Sequence, residues 1–458
     1  MLLHLSRLVR HFLPWSLGRS GSLFTALKGI DREMQACHDT ASAIEALERH
    51  KPELLALLNR QFALPAAQAL AVKILNIYLA RFHLRSRSVV VSSRPFGLVV
   101  DPSNNCLLAC PGCVHSDNSQ YRGIFDWGPG TLTEARFATL LQQYGPYCVG
   151  AYFCSYGEPL LNVRTPSLIR LAKNYVMWTA LSTSLSVTRF DPEGYVESGL
   201  DFMVLAIDGA TQQVYERYRR HGNLDLVLEN ARKLVAAKRR MGSRTPVLSW
   251  NFLAFEHNAH EISAARDLAR KLGLDQFRLV NPFDVSWDDP GIRPAHVEGD
   301  LWRLKGLSSR FMSENWNPFP QTVDHRAIAQ AFEHTFSLDE RDSSPSEPGH
   351  TCHWLYKNTV MDATGRITPC CGAPRPDANL VFGAIDGSEG DPFNSNRYRQ
   401  ARAFFRSGAT PADNPPYCTR CEWDQGTVNI GPPEIRRYFR GINPALFDRR
   451  TLRLLSGW

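Results

Sequence analysis

Between residues 94 and 290, short apolar runs alternate with stretches whose apolar residues recur every third or fourth position. The runs Phe96–Val100, Val149–Cys154, Trp178–Thr183, Phe202–Ile207, Val247–Leu253 and Phe277–Val280 are nearly continuous in apolar character. Strands of a parallel sheet covered on both faces have this pattern. Between them, Glu134–Tyr144, Ser167–Asn174, Leu224–Met241 and His260–Leu272 carry helical periodicity, and Gly273 follows as a stop signal. Six strand–helix units predict an α/β fold, a partial (β/α)6 TIM-like barrel, with its chemistry at the C-terminal ends of the strands.

The flanks read differently. Residues 1–93 are helical in pattern, beginning with Leu2, Leu5, Leu8, Val9 and Phe12 around Arg7 and Arg10. That first stretch fits either a basic amphipathic helix on a membrane surface or a helix packed on the protein's own body. Residues 291–350, rich in Trp, Pro, Ser and charge, form a bridging segment that contains one helical stretch, Arg326–Phe336. In residues 351–425, Thr359–Pro369 alternates as a hairpin does, with Asp362-Ala-Thr-Gly365 as its turn, and a small α+β domain is expected. Residues 426–458 read as a basic tail.

Charge sharpens this division. Residues 1–95 hold 13 Lys+Arg against 6 Asp+Glu, and residues 426–458 hold 6 against 2, leaving 33 against 37 for the body. A slightly acidic body is no nucleic-acid groove, which needs a basic working face. The basic termini fit a peripheral contact with an anionic surface, such as the inner face of a membrane, on an otherwise cytoplasmic protein. No run is long and uncharged enough to cross a bilayer.

Cysteine supplies the candidate chemistry. Asp101–His115 reads DPSNNCLLACPGCVH and places Cys106, Cys110 and Cys113 in C-x3-C-x2-C spacing just after the first strand. Three thiolates on one loop can hold three corners of a four-iron cluster and leave one iron open. A zinc site completed by His115 or a distant cysteine fits the same loop. A second set follows: Cys352, then the adjacent Cys370 and Cys371, then the pair Cys418 and Cys421. The hairpin brings Cys370 back beside Cys352, and four thiolates suit either a fully ligated cluster or tetrahedral zinc. His350 and His353 flank Cys352 and are expected to be supporting residues, Cys148 and Cys154 read as small buried residues, and Cys37 stands apart from both sets. This clustering points to metal ligation in a reducing compartment, not to disulfides.

The triad after the first barrel strand resembles the signature of the radical S-adenosylmethionine (SAM) superfamily. The resemblance implies a [4Fe-4S] cluster on Cys106, Cys110 and Cys113, with SAM on the open iron. Reductive cleavage of SAM would then give a 5′-deoxyadenosyl radical that abstracts a substrate hydrogen. Tyr156-Gly157-Glu158-Pro159 resembles the family's GGE-type motif, with Tyr156 in place of the first glycine. Thr183 stands in the family's ribose-side segment. Asp208-Gly209 resembles its DG stretch, with Ala206 where serine is common. Arg219 is the matching partner for the SAM carboxylate, although an arginine in RYRRH also suits a solvated helix face. Gly112 replaces the usual aromatic before the last cysteine. The spacing of Cys352, Cys370, Cys418 and Cys421 resembles the twitch domain, the shortened SPASM domain, and implies one auxiliary [4Fe-4S] cluster with Cys371 spare.

These features imply net oxidation or C–H functionalisation of a small molecule or lipid, with electrons from a flavodoxin or ferredoxin. Peptide modification is the alternative within enzymes. A non-catalytic iron–sulfur electron carrier is the alternative outside them.

Overall fold

The computed structural model describes residues 22–117, 130–282, 289–299, 301–304, 323–333, 336, 351–371, 378–385, 390–408, 410, 413–421 and 430–457. The amphipathic stretch at residues 1–20, most of the bridging segment and His350 lie outside the described residues.

Six parallel strands form the body: β1 (Gly97–Val100), β2 (Gly150–Phe153), β3 (Trp178–Thr183), β4 (Phe202–Ala206), β5 (Val247–Leu253) and β6 (Gln276–Val280). They are neighbours in chain order, each parallel to the next. β7 (Leu301–Arg303) adds antiparallel to β6. At the other edge β8 (Asn358–Met361) pairs parallel with β1, and β9 (Arg366–Thr368) and β10 (Gly383–Ala384) continue antiparallel. A single ten-stranded sheet in the order β10-β9-β8-β1-β2-β3-β4-β5-β6-β7 therefore runs from barrel to C-terminal domain without a break. The sheet does not close, which makes it a partial barrel.

Alternation along each strand divides the core. Leu98, Val100, Ala151, Phe153, Leu181, Leu205, Trp250 and Phe277 point outwards into one large cluster. There they meet Phe137 and Leu141 of α4 (Glu134–Tyr144), Leu168 of α5 (Thr165–Lys173), Leu234 of α8 (Leu224–Arg240) and Ala269 of α9 (Ile262–Leu272). The helix signals work as the sequence indicates. Thr133 and Asn223 accept N-terminal amides of their helices, and Gly273 turns left-handed at φ 81° after α9. Between these layers Lys173 and Asp201 form a buried ion pair at 2.9 Å, and Asp201 also accepts the Thr179 amide at 2.7 Å.

The two ends of the chain share one task. Helices α1 (Leu23–Ala36), α2 (Thr40–Asn59) and α3 (Leu64–Ser86) pack in one cluster with α13 (Pro432–Ile442) and α14 (Arg449–Ser456). The same cluster holds Phe96, Val149 and Trp178, residues at the N-terminal ends of the strands. Lys73 of α3 is wholly buried there, donates to the Cys148 carbonyl, and has its ammonium pushed down to about 7 by burial. Tyr438 of α13 donates to the Val176 carbonyl at 2.8 Å. These helices form a floor beneath the barrel, opposite the end that carries the cysteine loop. The stretch expected as a basic tail is thus helical and docked. Its arginines 436, 437, 440, 449, 450 and 453 face solvent, while Ile435, Tyr438, Phe439, Leu452 and Leu455 face the core. Alternate-face patterning at helical spacing explains both halves of that sequence. Among the described residues no helix is long and apolar enough to cross a membrane.

Candidate active site

The loop after β1 is fastened from three sides. Asp101 continues the strand by donating its amide to Met361 of β8 at 2.9 Å. Leu132 donates to the Pro102 carbonyl at 2.8 Å, and Gly130 to the Asn104 side chain at 2.6 Å. From the far side, Ala109 donates to the Arg220 carbonyl at 3.2 Å. Within the loop, Cys113 donates to the Cys110 carbonyl at 3.0 Å, and Gly112 between them adopts φ 75°. A side chain at that left-handed position would be strained, which accounts for glycine where the resemblance leads one to expect an aromatic.

Cys106, Cys110 and Cys113 gather in a small apolar cluster with Leu108, Tyr218, Leu253, Phe255 and Ile292. Burial pushes the Cys106 and Cys110 thiols up to about 12 and about 11, and each is raised further by its neighbouring thiols. Such a group favours metal ligation, which removes the protons and spreads the charge. Among the described residues, no three His, Cys, Asp or Glu side chains converge on a single-ion position. His115, weighed as a fourth zinc ligand, is instead bonded through Nε2 to the Tyr156 carbonyl at 3.0 Å.

The turn after β2 is the loop's counterpart. Glu158 donates its amide to the Asn105 carbonyl at 2.7 Å, and Tyr156 and Gly157 donate theirs to the Asp101 carboxylate at 3.3 Å each. A Cβ on Gly157 would lie 1.8 Å from the Ser103 carbonyl oxygen. Only glycine allows this approach of the turn to the cysteine loop. Burial raises Asp101 to about 7, offset in part by those two amides.

The Glu158 carboxylate is fully engaged. Its oxygens accept from the Thr183 hydroxyl at 2.5 Å, the Ser184 amide at 2.8 Å and hydroxyl at 2.7 Å, and the Leu160 amide at 3.1 Å. The Thr183 hydroxyl, expected beside the ribose, is therefore taken up in tying β3 to β2. Pro159 opens the short turn Pro159–Leu161 and is buried. Glu158 thus ties the turn after β2 to the end of β3.

Arg219 is no solvated helix residue. It closes α7 (Gln212–Tyr218), keeps only 13% of its side chain exposed, and donates through Nε to Asp208 at 2.6 Å. Its Nη1 stands 3.9 Å from the Cys110 sulfur. Burial opposes its charge, but Asp208 beside it holds the guanidinium protonated. Asp208 is itself fixed by the Leu253 amide at 2.6 Å. A fixed cation beside the thiol loop is equipped for an anionic ligand.

The second cysteine set assembles on the sheet extension. Cys352 and Cys370 both pack against Val99, Trp354 and Val360, because the β8–β9 hairpin returns Cys370 to the level of Cys352. The turn is fixed by Asp362, which accepts the Thr364 and Arg366 amides at 2.8 and 2.9 Å. Cys418 and Cys421 bracket the turn Tyr417–Arg420. Burial raises the Cys418 thiol well above its ordinary value, and Cys370, Cys352 and Cys421 raise it further. All four expected thiols therefore share one locality. Cys371 packs on the same apolar cluster and also lies near Tyr152, Cys154 and Tyr156 of the barrel. His353 pairs with Lys357 at 2.8 Å. Sequence reasoning missed Asp101, the carboxylate that orients the β2 turn; its place at the end of a strand beside the cysteine loop was the available signal.

A thiol triad at the C-terminal mouth of an open parallel barrel, with a close-approach glycine turn beside it, defines the class of cluster-dependent SAM-binding proteins. Residues 100–256 match the radical SAM superfamily. Its cofactors are SAM and a [4Fe-4S] cluster. A relative, the PqqA peptide cyclase of Granulibacter bethesdensis, is 23% identical over 226 residues, covering 46% of this chain and 57% of that protein. The match spans little more than half of that relative's length. Similar solved structures include Streptococcus suis SuiB bound to S-adenosylmethionine, at 13% identity and TM-score 0.42, covering 81% of this chain and 82% of that one. Another is anSMEcpe with bound AdoMet, at 14% and 0.42, covering 79% and 98%. Likenesses this distant add nothing to the assignment.

Proposed function

We propose that this protein is a radical SAM enzyme that modifies a peptide. The observation that carries the radical chemistry is the cysteine loop locked against the Gly157 turn at the barrel mouth. The peptide substrate is supported by the relative named for a peptide, and nothing comparable supports the small molecule or lipid that the sequence suggested first. Cys106, Cys110 and Cys113 would hold the SAM-binding cluster, and Cys352, Cys370, Cys418 and Cys421 an auxiliary one. When bound, the first cluster supplies the electron that cleaves SAM and thereby the radical that takes a substrate hydrogen. The protein's own contribution is positional. Gly157 and Asp101 hold the loop at its working distance, Arg219 offers a fixed cation to the SAM carboxylate, and the apolar lining of Leu108, Phe255 and Ile292 keeps water from the thiols. The floor helices, drawn from both ends of the chain, and the sheet extension β8–β10 frame this site.

The test is deuterium transfer. Reconstituted enzyme is given SAM, a reductant and a deuterated cell extract divided into peptide, small-molecule and lipid fractions. Deuterium in 5′-deoxyadenosine from the peptide fraction alone is the expected result. Label arriving only from another fraction would overturn the peptide reading. Absence of 5′-deoxyadenosine under all conditions would favour an electron carrier. Alanine at Cys106, Cys110 and Cys113 together should abolish the product.

A further inference from the structure

The outward strand positions of the barrel are apolar apart from Thr179 and Thr183, but the inward positions change character with height. Near the floor they are Gly97, Gly150, Trp178 and Ala180. Higher up, β5 and β6 turn Ser249, Asn251 and Arg278 inwards, since Trp250, Phe252, Phe277 and Leu279 point outwards. Asn251 and Arg278 are register partners across β5 and β6. The next inward residue of β5, Leu253, packs against the cysteine loop. The two polar residues thus stand one step below the radical site.

Arg278 is exposed, and alternation along β6 sets it on the inner face of the barrel, the face that Tyr152 of β2 shares. The inner carboxyl groups are already engaged. Asp101 accepts the Tyr156 and Gly157 amides, and Glu158 accepts from Thr183 and Ser184. The Asn251 carbonyl accepts the Ser249 hydroxyl at 3.1 Å, which leaves its amide N–H groups as donors. A guanidinium and an amide donor on neighbouring strands, about 4.8 Å apart, match the two oxygens of a carboxylate.

We infer that Arg278 and Asn251 form a carboxylate subsite inside the barrel, which holds an acidic group of the substrate beneath the cysteine loop. This rests on the peptide reading above for the nature of the substrate. It gives Arg278 a different ligand from Arg219, which stands at Cys110 itself. A carboxylate seated there would fix the register of the peptide and decide which of its C–H bonds meets the radical.

The probes are three dansylated pentapeptides: an amide with one central glutamate, its glutamine counterpart, and the glutamine peptide with a free C-terminal carboxylate. Binding is followed by fluorescence anisotropy on cluster-reconstituted enzyme with SAM present and no reductant, so it does not depend on turnover. At least one carboxylate peptide should bind tenfold or more tighter than the neutral amide, and which one does so tells a side chain from a terminus. R278Q should abolish that preference and leave SAM affinity unchanged. N251D, which sets a competing carboxylate beside Arg278, should abolish it independently. Equal affinity for all three peptides, or a preference that survives R278Q, would overturn the subsite. So would a tenfold loss of SAM affinity in R278Q, which would assign the arginine to SAM. An enzyme that shows the preference yet takes no deuterium from any peptide keeps the subsite and loses the peptide function.

Discussion

Gly157→Ala tests the contact on which the site depends. The added Cβ would lie 1.8 Å from the Ser103 carbonyl oxygen, 2.6 Å from its carbon and 2.8 Å from the Asn105 carbonyl oxygen. All three atoms are backbone, so no side chain can rotate away. An ordinary carbon–oxygen contact is about 3.3 Å, so turn and loop must part by roughly 1.5 Å. Overpacking of this kind costs about 1–3 kcal/mol. The larger effect falls on chemistry: Ser103 and Asn105 immediately precede Cys106, and a displacement of about 1 Å at a reacting site costs on the order of 100-fold. SAM cleavage, assayed as 5′-deoxyadenosine formed under reductant, should fall about that much while the chain stays folded by circular dichroism. Gly130→Ala is the control. It lies on the same loop's flank, but its Cβ would meet nothing nearer than 3.5 Å. Wild-type cleavage by Gly157→Ala, or equal loss in both variants, would refute the reasoning.

Three further outcomes follow from the same geometry. Cys370→Ala should lower the iron content of the reconstituted protein and Cys371→Ala should not, because Cys370 is the one of the two that bears on Cys418 together with Cys352 and Cys421; equal iron loss in both variants would show that the hairpin register is misread. Asp101 binds its proton more tightly folded than unfolded, so the stability that the bound proton contributes is full below about pH 4 and is lost as pH rises towards about 7. Thermal unfolding between pH 5 and 7.5 should therefore fall more steeply for the wild type than for Asp101→Asn; parallel curves would contradict this. Asp201→Ala strands Lys173 without its partner in the core and should cost about 3–5 kcal/mol, measured by denaturant unfolding.

Much of the barrel is legible in the sequence because its strands are apolar runs bounded by turn signals. Trp178–Thr183 and Val247–Leu253 fall where the pattern puts them, and the other four strands shift by a residue or two at their ends. The Glu134–Tyr144 helix and the hairpin turn at Asp362–Gly365 are likewise where composition and capping put them. The cysteine positions are legible because spacing on a loop carries their meaning. What stays hidden depends on contacts distant in sequence. The Thr183 hydroxyl is claimed by a carboxylate from the turn after β2, and the solvated-looking Arg219 is drawn inwards because Asp208 faces it. The tail is docked because its partner surface lies some 350 residues earlier, beyond any local pattern.

The shared floor also bears on how the protein is made. Helices α1 to α3 are complete when residue 86 leaves the ribosome, yet the helices that cover them end at residue 456. At about 5–20 residues per second, the first three helices wait roughly 20–75 s with one apolar flank uncovered. That interval exposes a nascent chain to aggregation and to chaperone capture. The cysteine loop is synthesised early and lies at the opposite end, so the metal centre and the floor are finished by separate events. Slowing elongation, or truncating the chain within α13, would therefore fall first on yield and only afterwards on chemistry.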